Sequence, residues 1–148
     1  ERASKTLALH RQIYDAAPEA RCVLHTHSTH LVALSLQGVW TEQDILPPIT
    51  PYFVMKVGHV PHVAYRVPGD PAVAHEVAGL IARAEQPLRA VMLERLGPVV
   101  WHQGPAQAMA LLEELEETAR LWLLCSPRPA PLNDARVDEL RQRFGAPW

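Results

Sequence analysis

One short stretch that carries three closely spaced histidines constrains this chain more than any other feature. Residues 21–27 combine apolar and β-branched side chains and predict a buried strand, and residues 30–36 predict a short helix closed by Gly38. Because side chains alternate between the two faces of a strand, His25 and His27 are predicted to project from the same face. Any fold that accepts this stretch must bury a strand that presents two imidazoles together.

The HxH pair has two interpretations. Two neutral imidazoles can bind a zinc-like divalent cation, and a catalytic zinc site normally has three protein ligands and one open position. The pair then supplies two ligands, and the third comes from elsewhere in the chain. Eight histidines in 148 residues are also a generous supply. Two half-buried imidazoles bonded to backbone carbonyls therefore explain the pattern equally well.

Composition excludes several classes of function. The formal net charge is -2, without the basic stripe that nucleic-acid binding requires. No apolar run approaches the ~20 residues of a membrane span, and the segment 1–5 lacks the apolar stretch that is typical of a signal peptide. The two cysteines, Cys22 and Cys125, form no CxxC motif and predict free thiols in a reducing compartment. We therefore expect a soluble, cytoplasmic protein that binds neither nucleic acid nor membrane.

The order of predicted helices and strands indicates a mixed α/β layer sandwich in one domain. Prolines exclude a regular strand over residues 44–58, because proline has no backbone donor. Four glutamates at 113, 114, 116 and 117 lie largely opposite the apolar stripe of their helix, which predicts a solvated face. The predicted elements are helices at 4–16, 30–36, 71–84, 105–125 and 134–144, and strands at 21–27, 60–67, 88–94 and 98–101.

The proline-containing segment from Leu46 to Val57 is apolar as well as irregular. Exposed apolar patches of that extent usually mark interfaces. This segment therefore predicts contact with another subunit.

Several segments in one consistent order resemble the class II aldolase/adducin family, and most closely its branch of 3-oxo-tetronate 4-phosphate decarboxylases. They span the chain from Ala3 to about Phe144. The resemblance implies a class II aldolase-like α/β/α layer sandwich on a mixed sheet, as a single domain over residues 1–148 whose N-terminal portion precedes Glu1. The matching segments are ASKTLALHRQIYDAAPEARCVLHTHSTHLVALS, ILPPITPYFVMKVGHVP, YRVPGDPAVA, GPVVW and ALLEELEETARL.

The resemblance implies a zinc-dependent carbon–carbon lyase. Such an enzyme decarboxylates or cleaves a small phosphorylated sugar acid through a metal-stabilised enediolate. In the family the HxH pair binds the metal, which implies His25 and His27 as ligands. The family also forms cyclic tetramers with active sites between subunits, so we expect a homotetramer.

The resemblance also implies residues on the substrate side of the site. Ser4 and Lys5 match residues near the phosphate. Independently of the resemblance, His30 stands at the start of a predicted helix just after the HxH pair and is expected beside the substrate. Tyr52 is the candidate proton donor, by similarity to a tyrosine that neighbouring subunits contribute in aldolases. An interface or core tyrosine is an equally good interpretation of Tyr52.

Two positions depart from the family pattern. A third metal-binding histidine normally precedes the glycine of the strand-turn motif, but this chain has Leu96 there. A glutamate normally follows the Ser-Lys pair, where this chain has Thr6. Glu94 lies two residues before Leu96, roughly 6.5 Å away along a strand, and could be the third ligand or a solvated carboxylate.

These departures leave other possibilities open. The remaining candidate donors are His10, His59, His62 and His102. A second hypothesis for the whole chain is a non-catalytic scaffold of the same fold whose metal site has decayed.

Overall fold

The computed structural model describes residues 4–148 and places a mixed four-stranded sheet between two layers of helices. In their order across the sheet, the strands are β1 (Cys22–His25), β4 (Gly97–His102), β3 (Ala90–Leu93) and β2 (His62–Val63). Strand β4 is antiparallel to both β1 and β3, whereas β2 pairs in parallel with β3. This arrangement confirms the predicted α/β/α layer sandwich.

The helices divide between the two faces of the sheet. They are α1 (Leu7–Ala16), α2 (Thr29–Gln37), α3 (Pro71–Arg83), α4 (Pro105–Leu124) and α5 (Asp134–Phe144), with a π-helical turn at Phe53–Val57. Helices α1 and α3 pack against each other on one face, and the remaining helices cover the other face. Each predicted helix is present, with ends within three residues of expectation.

Side-chain alternation along the strands produces two separate halves of the core. On β4, Val99 and Trp101 pack toward α1 and α3, whereas Val100 packs toward α4. On β1, Val23 belongs to the α1 and α3 side. Because His25 follows Val23 by two residues, its side chain leaves the sheet on that same face.

Local capping explains where two of the helices begin. The Asp70 carboxylate accepts a hydrogen bond from the Ala72 N–H at 2.9 Å, and Pro71 occupies the first helical position. Asn133 likewise accepts from the Arg136 N–H at 3.0 Å at the start of α5. Both caps are residue types that favour this position, because their short side chains reach the free N–H groups of the first turn.

The predicted strand over residues 60–67 is much shorter in the structure. Only His62 and Val63 pair with β3, which itself ends at Leu93. Beyond that point the Tyr65 N–H donates to the Glu94 carboxylate at 2.8 Å instead of to a strand. The strand ends because its partner turns away into the β3–β4 hairpin.

The interpretation of residues 46–57 as an exposed apolar interface segment was wrong. Leu46, Phe53, Val54 and Val57 are each at most 1% exposed and belong to the core of the chain itself. Trp148 covers the π-helical turn and lies edge-on to Phe53, with ring centroids 5.6 Å apart. The apolar character of the segment therefore reflects internal packing.

The two cysteines are unpaired, as their spacing predicts. Cys22 is half-buried in β1, and Cys125 is exposed just after α4. Within residues 4–148, no helix combines the length and apolar composition needed to cross a bilayer.

Candidate active site

The HxH pair lies where β1 gives way to the loop before α2. His25 is the last residue of the strand and His27 stands in that loop. Their ring centroids are 5.4 Å apart and their planes meet at 71°. Both side chains line one cavity on the α1 and α3 side of the sheet. The two imidazoles therefore lie side by side on one cavity, although the predicted strand over residues 21–27 ends at His25 and only the loop brings His27 to that side.

Backbone contact selects the tautomer of His25. Its Nδ1 lies 3.0 Å from the Pro98 carbonyl oxygen, 73 residues away in sequence. Because a carbonyl only accepts, Nδ1 carries the proton and Nε2 keeps its lone pair. Burial lowers the pKa of His25, the Pro98 carbonyl partly opposes that shift, and charge on His27 or His10 lowers the pKa further. A neutral imidazole is the form that binds a metal.

The tip of the β3–β4 hairpin packs directly on the loop that joins the two histidines. Gly97 has φ +126°, and a Cβ at that position would lie 1.9 Å from the Thr26 carbonyl oxygen. Only glycine allows so close an approach in that conformation. The preceding residue, Leu96, is thereby brought to the wall of the cavity beside His25 and His27.

Leu96 therefore occupies the neighbourhood where the resemblance expects the third histidine. Its side chain offers no donor atom. Across residues 4–148, no group of three His, Cys, Asp or Glu side chains is arranged to hold a metal ion. The described residues thus fit two positions of a metal coordination sphere, both of them imidazole nitrogens, and leave the third without a protein ligand.

Glu94 lines the same cavity but is engaged elsewhere. Its Oε2 accepts from the Tyr65 N–H at 2.8 Å, and its Oε1 lies 3.6 Å from the Arg95 Nε. The structure does not assemble the predicted ligand set of His25, His27 and Glu94, because the loop after β2 holds the carboxylate.

The rest of the cavity is lined mainly by apolar side chains from α1, α3 and the loop between β2 and α3. Its volume is about 290 Å³, and Lys5 and Arg66 contribute positive charge to its wall. Lys5 therefore lies on the same cavity as the histidines, and its role near the substrate phosphate stays a prediction. Ser4 does not line this cavity, and its hydroxyl instead bonds the Thr6 hydroxyl at 2.9 Å.

His30 is engaged by a carboxylate that the sequence did not connect with it. The Glu116 carboxylate lies 2.8 Å from His30 Nδ1 and accepts from the backbone N–H groups of His30 and Leu31 at 2.9 and 3.1 Å. Glu116 thus satisfies the free N–H groups at the start of α2. It is not a member of a simply solvated face, and His30 does not line the cavity where substrate binding was expected. Because His30 and Glu116 are 86 positions apart, no local pattern in the sequence signals their contact.

Tyr52 is separate from the histidine cavity within one chain. It stands at the start of the π-helical turn with 56% of its surface exposed, and the Lys56 ammonium lies 5.0 Å from its ring centroid. It does not line the cavity. A catalytic role for Tyr52 across a subunit boundary stays a prediction.

The other histidines occupy distinct environments. His10 in α1 is close enough for its charge to affect His25, and its buried Nε2 has no hydrogen-bond partner within residues 4–148. His59 Nδ1 lies 2.9 Å from the Asp44 carboxylate. The His59 ring also stacks on Trp148, with ring centroids 4.3 Å apart. His102 lies at the far end of β4.

The sequence of this chain is similar to those of several characterised proteins. The chain is 56% identical, over its whole length, to a 3-oxo-tetronate 4-phosphate decarboxylase of Cupriavidus necator and covers 69% of that protein. It is 38% identical over 95% of its length to the Escherichia coli protein of the same name and covers 65% of it. The chain thus spans about two thirds of the length of these relatives.

Solved structures and a family comparison lead to the same assignment. YgbL of Klebsiella pneumoniae superposes with a TM-score of 0.84 at 40% identity, over 95% of this chain and 67% of that one. The L-fuculose-1-phosphate aldolase of Thermus thermophilus superposes with a TM-score of 0.69 at 26% identity, over 88% of this chain and 67% of that one. Residues 1–123 match the family described as Class II Aldolase and Adducin N-terminal domain. The chain belongs to the class II aldolase and adducin family.

Proposed function

We propose that this chain carries the active site of a lyase that decarboxylates, or cleaves, a small phosphorylated sugar acid of the 3-oxo-tetronate 4-phosphate type. The observation that supports the proposal is the cavity that brings His25, His27 and Lys5 together. The identity of 56% to a relative with that named activity supports the choice of substrate.

The chemistry of such a substrate matches what the cavity offers. Loss of CO2 from a 3-oxo acid moves an electron pair toward the ketone oxygen and leaves an enediolate, which then takes a proton on carbon. His25 and His27 would hold a divalent cation, for which we propose zinc. When bound, that cation supplies positive charge that stabilises negative charge on the substrate oxygens.

The chain's own residues have further roles in this proposal. Lys5 supplies an ammonium group that attracts the phosphate or carboxylate of the substrate. Apolar side chains, among them Leu9 and Leu93, limit water around the reacting carbon and strengthen electrostatic interactions there. Tyr52 of a second copy is the proposed proton donor.

The last role requires an assembly, and we propose a homotetramer with sites between subunits. Tyr52 and Leu36 are each 56% exposed. Leu36 also borders a mostly apolar groove that begins at His27 and Leu96. Light scattering at micromolar concentration should detect a tetramer, and a monomer would contradict this part of the proposal.

A second candidate function is a non-catalytic scaffold of the same family. Leu96 at the expected third-ligand position and Thr6 at the expected glutamate position favour it. Both residues line the cavity, so neither departure is remote from the site. The two functions differ in whether the chain holds a metal and turns over a substrate.

The experiment that separates them measures zinc content and CO2 release from 3-oxo-tetronate 4-phosphate on the same preparation. The lyase proposal expects both in the unaltered chain, and expects His25→Gln and His27→Gln to lose both. His59→Gln is the matched control, because His59 is bonded to Asp44 outside the cavity. A folded chain without zinc and without CO2 release would support the scaffold instead.

A further inference from the structure

A second cavity, of about 410 Å³, lies at the opposite end of strand β4 from the histidine pair. Gly97 at the start of β4 touches the loop of the pair, whereas His102 at its end lines the second cavity. The ends of such a strand are about 17 Å apart. The two cavities share no lining residue.

A buried donor marks this second cavity. Trp101 is only 1% exposed and lines the cavity, and its indole Nε1–H has no acceptor within residues 4–148. Buried polar groups in native proteins almost always have a hydrogen-bond partner, and an unpaired one costs free energy. The Nε1 atom has almost no accessible surface of its own, so a small shift of the indole ring would let an oxygen atom in the cavity supply the missing acceptor.

Two further side chains of the cavity are also donors. The Gln103 backbone N–H donates to His102 Nδ1 at 2.8 Å, so the neutral ring carries its proton on Nε2. Burial lowers the pKa of His102, and the neighbouring Arg89 lowers it further against the opposing effect of Glu19. Arg89 supplies a permanent positive charge in the same wall.

The charges around the rim limit the ligand to a weakly charged anion. Glu19 and Glu85 line the cavity, and helices α1 and α3 both end there, with the partial negative charge of their carbonyl groups. This negative potential disfavours a doubly charged phosphate. A single carboxylate offers two acceptor oxygens at half that charge.

We propose that this cavity binds a small monocarboxylate whose oxygens accept hydrogen bonds from the Trp101 indole N–H and the Arg89 guanidinium. The assignment does not depend on the lyase proposal, because the two cavities share no residue. A cavity of this volume is within the range that binds small molecules.

The test follows the indole N–H signals of the four tryptophans by NMR in 15N-labelled chain, with sodium acetate as the probe. We expect a saturable downfield shift of the Trp101 signal while the other three stay in place. Trp101→Phe assigns the signal. If that variant does not fold, single Phe replacements at Trp40, Trp122 and Trp148 assign it by elimination.

A variant and two control titrations make the test decisive. Arg89→Gln should weaken acetate binding about tenfold or more, since it removes a charge-assisted hydrogen bond. Arg143→Gln should not weaken it, because Arg143 lies on α5 outside the cavity. Sodium chloride at equal ionic strength should leave the Trp101 signal unchanged.

Three results would overturn the proposal. The first is a Trp101 signal that does not respond to excess acetate and exchanges magnetisation only with water. The second is a response of equal strength in Arg89→Gln. The third is inorganic phosphate that shifts the signal at lower concentration than acetate, which would show that the rim charges do not select the ligand.

Discussion

The two ends of strand β4 use the same side chain in opposite ways. At the end that begins with Gly97, the His25 Nδ1–H donates a hydrogen bond to the Pro98 carbonyl, and Nε2 keeps its lone pair. At the second end, His102 Nδ1 accepts the Gln103 N–H, which leaves a proton on Nε2. One imidazole is thus prepared to bind a cation, and the other to donate to an anion.

This difference shows that the backbone partner, not the residue type, decides what a histidine can do. Burial lowers the pKa of both rings, so both are predominantly neutral at pH 7. A neutral imidazole has one donor and one acceptor nitrogen, and its first hydrogen bond determines which remains available. The predictions below test the two ends separately.

The largest expected effect concerns the third metal ligand, which is missing at Leu96 beside the histidine pair. Leu96→His should raise zinc affinity by about a hundredfold or more, or roughly 3 kcal/mol, because a third imidazole completes the coordination set. The double variant that combines Leu96→His with Thr6→Glu should also release CO2 faster than the unaltered chain. Competition with a chromophoric chelator measures the affinity.

Leu36→His is the matched control for Leu96→His. It adds an exposed imidazole to the neighbouring groove on α2 and should change zinc affinity little. An unaltered chain that already binds zinc as tightly as the Leu96→His variant would contradict the prediction. In that case Glu94 or His10 would be the group to replace next.

The second effect concerns the hairpin tip that supports the histidine pair. Gly97→Ala should lower the free energy of unfolding by about 3 kcal/mol, since the Cβ would collide with the Thr26 carbonyl at positive φ. Gly38→Ala has φ +110° but no atom within 4 Å, and should cost about 1 kcal/mol. Urea unfolding compares the two, and equal costs would show that the close approach to Thr26 is unimportant.

The third effect concerns the start of α2, directly after the pair. Glu116→Gln should lower the free energy of unfolding by about 1–2 kcal/mol, because the carboxylate accepts from His30 and Leu31. Glu117→Gln alters an exposed neighbour that pairs with Arg120, and should remain within about 0.5 kcal/mol of the unaltered chain. A change of no more than about 0.5 kcal/mol in Glu116→Gln as well would mean that Glu116 is simply solvated.

The smallest effect is a pH dependence at the second end. The folded-state pKa of His102 lies below 6.5, so the unfolded chain binds more protons as the pH falls below about 6.5. Stability should therefore decrease from pH 7 toward pH 5, and His102→Gln should reduce the slope. His75→Gln, on the exposed side of α3, is the control. An unchanged slope in His102→Gln would contradict the lowered pKa.

Much of the fold was predictable because it depends on local chemistry. Helices began where Asp70 and Asn133 could cap them, and apolar periodicity located the helical faces. The strand at residues 60–67 was overestimated, since its length depends on how far β3 extends beside it. The π-helical turn was not predicted, because apolar residues in an irregular segment can be buried either at an interface or in the core of the chain itself.

The sequence by itself determined the order of helices and strands, the HxH pair and the absence of a donor at Leu96. All three follow from residue identity and spacing along one segment. Only the tertiary structure decided that the Pro98 carbonyl sets the tautomer of His25, and that Glu116 holds His30. These contacts join residues 73 and 86 positions apart. Hydrogen bonds of a few ångströms between such residues depend on how the layers pack, and no local pattern in the chain encodes that distance.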